Sequence, residues 1–149
     1  MATVNNQGVI VLDADGSDEI KNYPNTQRNN AIKLSDALRV TYGSMTIDKA
    51  LSESYCATNK VGKILTMTVF FKTGSFTQQP EIFPKLLSPE RCPMGTYYAP
   101  LTGVTNDGRA VATILKITTD GNITHLRETP LAENATYAGN FTWLTAEWQ

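Results

Sequence analysis

Charge, histidine and cysteine are scarce in this sequence, and no stretch of it is apolar for long. Its 149 residues include one histidine, which excludes a histidine-rich metal centre. The two cysteines, Cys56 and Cys92, lie too far apart in the chain for a zinc or dithiol motif. Two inert thiols are expected, with one structural disulfide as the alternative. Charged residues make up 18% of the chain, below the usual quarter or so. Thirteen Lys and Arg against fourteen Asp and Glu leave a net charge of -1, which excludes a polybasic nucleic-acid binder. No apolar run approaches the eighteen or so residues of a membrane-spanning helix. Residues 1–11 carry no Lys or Arg, so the charged opening of a secretory signal is missing. Also absent are a Gly-x-Ser-x-Gly elbow, a phosphate-cradling glycine loop, a His-Glu-x-x-His pair and a dinucleotide fingerprint.

Uncharged polar residues fill the gap. Twenty Thr and eleven Asn favour strands and turns over helices. Residues 8–12 read as a short buried strand, followed by a polar, turn-rich stretch over residues 16–30. Ala31, Leu34, Ala37 and Leu38 suit one face of a short helix; the rival reading puts Leu38, Val40 and Tyr42 on one side of a strand that turns at Gly43. Residues 61–71 alternate without a break, and their second face is half apolar. They predict one long inner strand covered on both sides. Five prolines between positions 80 and 100 predict a long ordered loop or a series of short edge pieces. Residues 110–118 and 123–126 form a hairpin around Asp120-Gly121. An aromatic strand that contains Trp143 closes the chain, with Trp143 in the core.

Catalysis finds little support. His125 sits among Asp120, Arg127 and Glu128, yet a strand beside a turn is an ordinary place for a hydrogen-bonded histidine. Asp107 and Asp120 flank the strand at 110–118 from opposite ends, roughly 30 Å apart at about 3.3 Å per residue. That is too far for a glycosidase pair. The acidic cluster Asp13, Asp15, Asp18 and Glu19 lacks the calcium-loop pattern. No metal or cofactor is expected. Tyr97, Tyr98 and Trp148 suit stacking on sugar faces, and they suit a subunit interface equally well.

The order of motifs from Cys56 to Leu144 carries a resemblance. A Val-Gly opening leads into a Thr-rich strand (KVGKILTMTVFF), then a proline loop (CPMGTYYAP), an Asn-Asp-Gly turn, a strand with an Asp-Gly turn (ATILKITTDGNITHL) and an aromatic strand (AGNFTWL). This pattern resembles the C-terminal head or carbohydrate-binding domains of bacteriophage tail fibre, tailspike and baseplate receptor-binding proteins. The strand and turn pattern argues for an all-β, jelly-roll-like antiparallel β-sandwich, with one short N-terminal helix if residues 31–38 take the helical reading. The resemblance implies the same sandwich assembled as a homotrimer with saccharide sites on or between subunits. Residues 56–149 would be the head, with residues 1–55 packed on it or leading into it, since they depart from the pattern. An excised domain and a short independent virion component both fit that departure. The implied function is non-catalytic binding of host cell-surface polysaccharide by a virion protein at the tail tip, baseplate or capsid. Its partners would be other copies, the saccharide and other virion proteins, with neither nucleic acid nor membrane insertion. The alternatives are a structural decoration or connector of the virion, and a small polysaccharide-degrading enzyme. The matched positions are architectural and transfer no binding residue. The candidate saccharide contacts Tyr97, Tyr98, Asp107, His125, Arg127 and Trp148 therefore rest on residue type and position alone.

Overall fold

A computed structural model describes residues 39–146 continuously, together with residues 3–4, 10–11, 29–31 and 34. The described chain is all-β. A two-stranded antiparallel ladder pairs β1 (Thr3–Val4) with β2 (Ile10–Val11). The main sheet contains β3 (Val40–Ser44), β4 (Ser52–Val61), β5 (Ile64–Lys72), β6 (Tyr97–Thr105), β7 (Ala110–Ile117), β8 (Ile123–His125) and β9 (Ala135–Leu144). Its order is β3-β4-β5-β9-β6-β7-β8, antiparallel throughout. The backbone is helical at residues 29–31 and at Leu34, where a short helix was expected; the rest of that stretch, like the acidic cluster at positions 13–19, lies outside the described residues.

Alternation decides which side of each strand is buried. Leu65, Met67, Val69 and Phe71 of β5 face inward and are buried, as do Tyr137, Phe141 and Trp143 of β9, Ala99 and Leu101 of β6, and Leu115 and Ile117 of β7. The rings of Phe71 and Tyr137 stack at 5.4 Å. One sheet supplies both walls of this core, because β9 changes partners along its length. Its whole run pairs with β5, whereas β6 meets it only from Thr102↔Ala138 to Thr105↔Ala135. Beyond Thr102 the earlier part of β6 leaves β9, and the sheet curls over the core into a half-barrel. The expected all-β antiparallel architecture holds, but it is built as one curled sheet.

Three expectations are corrected. The strand expected over residues 61–71 is two strands: Val61 ends β4, and Gly62-Lys63 is a two-residue turn with Gly62 at φ +57°. Alternation conceals this turn, although the turn reverses its phase: Val61 pairs directly with Ile64 and faces outward with it, not inward with Leu65. The second face of β5 is also not covered by the described residues: Ile64 is exposed and Phe70 half-buried. Gly43 does not turn the chain. It lies within β3, where the Arg91 guanidinium fills the place of a side chain, 2.8 Å from where a Cβ would stand.

The proline-rich stretch is a long ordered loop over residues 73–96, with one 3-10 turn at Pro89–Arg91 and a bridge between Pro93 and Thr145. Pro100 instead belongs to β6, in the part that pairs only with β7 and so demands fewer amide donors. The sheet holds the 3-10 turn with side chains. Trp143 Nε1 donates to Arg91 O at 2.9 Å, and Lys60 Nζ, 2% exposed, donates to Glu90 O at 2.6 Å. Arg91 donates to Thr58 Oγ1 at 2.5 Å and to Tyr42 O at 3.1 Å. Both cysteines are buried thiols, and burial pushes the Cys56 thiol up to about 11, which makes it a poor nucleophile. The residue 55/56 boundary expected from sequence falls inside β4.

Candidate functional site

The turn after β7 positions the site. Gly121 takes φ +88°, which allows Gly121 N to donate to Thr118 O and Thr118 N to Asn122 O, and the chain returns as β8. His125 ends β8 opposite Leu115, and Leu126 N then donates to Ile114 O before the chain leaves the sheet. Thr129 fastens the departing segment, because Thr113 Oγ1 donates to Thr129 O at 2.5 Å and Ile114 N donates to Thr129 Oγ1 at 3.0 Å. The start of the proline-rich loop lies alongside. Gln79 clamps it there: Leu131 N donates to Gln79 Oε1 at 2.8 Å, and Gln79 Nε2 donates to Leu131 O at 3.1 Å.

Between these two segments lies a cleft of about 520 Å³, lined by residues 79–82, residues 123–125, Arg127 and Pro130. Ile82 and Ile123 are buried at its base. Pro80 and Pro130 add apolar wall, and Glu81, Thr124, His125 and Arg127 supply the polar groups. Burial alone lowers the pKa of His125 below its ordinary value of 6.5. The imidazole is therefore neutral at pH 7 and offers one donor and one acceptor.

A second, more polar cleft of about 340 Å³ lies at the β6–β7 turn, between Thr105, Asn106, Asp107, Arg109, Glu133 and Asn134. Asp107 accepts a hydrogen bond from Thr105 Oγ1, which lowers its pKa. Asp120 is lowered in the same way by Thr118. These two carboxylates stand at opposite ends of β7, in different turns, so no glycosidase-like pair forms from them. Glu133 accepts a hydrogen bond from Phe76 N at 3.2 Å. Among the described residues, no group of three or more His, Cys, Asp or Glu side chains is arranged to hold a metal ion.

The structure thus brings His125 and Arg127 into one cleft and puts Asp107 in another. Tyr98 points outward from β6, 54% exposed, opposite Lys116. Tyr97 faces inward and packs its ring on Trp143 at 5.6 Å, so its body belongs to the core. Trp148 lies outside the described residues. Residues 79–82 and Pro130 escaped sequence reasoning. Two irregular loops far apart in the chain share no periodicity, and only the prolines hinted at an ordered path.

No family model matches the chain, and no curated protein matches it. Among solved structures the fold is similar to that of the head domain of phage bIL170, a structure that bears on a common fold for the receptor-binding domains of lactococcal phages. The TM-score is 0.51 at 7% identity, over 72% of this chain and 99% of that one. At that identity the likeness is one of fold.

Proposed function

We propose that this chain is the receptor-binding head of a bacteriophage virion protein, which holds a host cell-surface saccharide without cleaving it. The observation that carries this reading is the fold, which spans 99% of a phage head domain. In this reading the chain is a jelly-roll-like head that works as a homotrimer at the tail tip or baseplate, against other virion proteins.

The cleft beside β8 suits the ligand chemistry. A sugar ring presents one or two C–H faces and a rim of hydroxyls. Pro80, Ile82, Ile123 and Pro130 match the first, while Glu81, His125 and Arg127 match the second. Tyr98 offers an exposed ring outside the cleft for a further residue of a long polymer. The test is binding of the purified chain to intact host cells and to their extracted surface polysaccharide. Arg127→Ala and His125→Ala are each expected to weaken binding about tenfold or more, as losing one or two hydrogen bonds does, with an unchanged circular dichroism spectrum. Wild-type protein that binds neither cells nor polysaccharide, yet co-assembles with virion components, would replace this reading with a structural one.

A further inference from the structure

The outer face of the sheet carries an observation that the saccharide reading does not use. Cross-strand register aligns Val40 with Val61, Val61 with Ile64, and Ile64 with Leu144. Directly opposed residues share a face, so these four side chains form one continuous row across β3, β4, β5 and β9. They are 42%, 38%, 53% and 55% exposed. Farther along the same face, Phe70 stands half-buried beside the exposed Tyr55. Between them lie Asn59, Thr66, Thr142, Ala57, Thr68 and Asn140, and Thr66 and Thr142 hydrogen-bond to each other at 3.1 Å.

Charge is almost missing from this face. Among its described residues the charged side chains are Lys72, which is paired with Glu53 at 2.6 Å, and Lys116 at the far side. An ordinary solvated surface carries about a quarter to a third charged residues. Depletion of charge together with accessible aromatic and aliphatic side chains such as Tyr55, Ile64 and Leu144 is the composition of an interface centre.

We propose that this outer face is buried against another copy of the same chain. The charge pattern selects that occupant: a face with no net field offers nothing to a charged partner, and a copy of itself meets no like-charge repulsion. The area agrees. At about 4.8 Å between strands and 3.4 Å per residue, β3, β4, β5 and β9 present roughly 550 Å², near the lower end of stable interfaces at about 600 Å² per partner, and Tyr98 on β6 stays outside the patch. The neighbouring copy supplies cover for the outer face of β5, Ile64 and Phe70 included, that the described residues of one chain do not give. This inference does not depend on the saccharide cleft, which lies at the β8 edge.

Light scattering on the full chain at micromolar concentration tests it. The wild type is expected at a multiple of 16.4 kDa, and the double variant Ile64→Lys/Leu144→Lys at the single-chain mass. Leu86→Lys, a change at an exposed loop leucine away from the row, is expected to leave the oligomer intact. Should the lysine variant fail to fold, Ile64→Thr/Leu144→Thr keeps strand preference and should raise the dissociation constant at least tenfold. A wild type at single-chain mass, or an oligomer that survives both double variants, overturns the proposal. Saccharide binding measured at saturating protein is expected to persist in the dissociated variants, which separates this failure from failure of the cleft.

Discussion

Gly121 and Gly108 both sit in hairpin turns at positive φ, +88° and +85°, but their surroundings differ. A Cβ at Gly108 would meet nothing within 4 Å, whereas one at Gly121 would lie 2.6 Å from Leu87 O. Gly108→Ala is therefore expected to cost only the left-handed backbone penalty, about 1–2 kcal/mol. Gly121→Ala adds a clash with a backbone held by the Leu87 N to Gly121 O hydrogen bond and should cost clearly more. Chemical denaturation at constant m-value measures both. His125 makes a pH prediction. Its folded pKa lies below 6.5, so between the two values the unfolded chain binds more protons. Its contribution is complete above about pH 6.5 and is lost as the pH falls through that window toward the folded value. Asp107 and Asp120, whose values lie below 3.8, act only at more acidic pH. The denaturation midpoint should thus begin to fall just below pH 6.5, and His125→Gln should flatten that first step while leaving the acidic one. None of these side-chain environments could be read from sequence, which marked Gly121 as a turn residue but held no sign of Leu87 above it.

Strands and turns were more legible than their partners. The inward positions of β5, β7 and β9 follow from alternation alone, because burial on one side imposes a period of two. The hairpin at Asp120-Gly121 was equally plain. The β4–β5 hairpin was hidden because Val61 and Lys63 prolong the alternation of β5 by residue type alone, and β3 was blurred by a glycine that serves a guanidinium instead of a turn. The 3-10 turn at Pro89–Arg91 exposes the limit most clearly: its anchors come from β3, β4 and β9, and no local pattern joins Arg91 to Tyr42, Thr58 and Trp143. Arg91→Ala removes both guanidinium hydrogen bonds and is expected to cost about 1–3 kcal/mol. Amide hydrogen exchange should rise first in β3, the edge strand that the arginine holds down.

At the scale of the whole molecule, the proposed assembly and the proposed saccharide cleft make a joint prediction. On the proposed reading, a shallow cleft with a few polar contacts would bind one saccharide loosely, and a repeating polymer engaged by several heads at once would be held far more tightly. Dissociating the chain with Ile64→Lys/Leu144→Lys should therefore lower apparent affinity for intact cells about 10²-fold or more, while affinity for a single short oligosaccharide stays the same. Titration on cells and calorimetry with the oligosaccharide read the two quantities separately. The fold class was visible in sequence through composition and turn spacing, and the phage-head resemblance agrees with the structural likeness. The cleft was visible only as two isolated residues, His125 and Arg127.

The order of strands also has a consequence for biosynthesis. β3, β4 and β5 form one antiparallel group and β6, β7 and β8 another, and β9 alone lies between them. It is the last of the nine to leave the ribosome. Until Ala135 and the residues after it emerge, the nascent polypeptide has two hairpin clusters with no shared ladder and a half-formed core. Completion of the sheet must then wait for β9, and nascent chains stopped before position 135 should remain open to protease across residues 39–134.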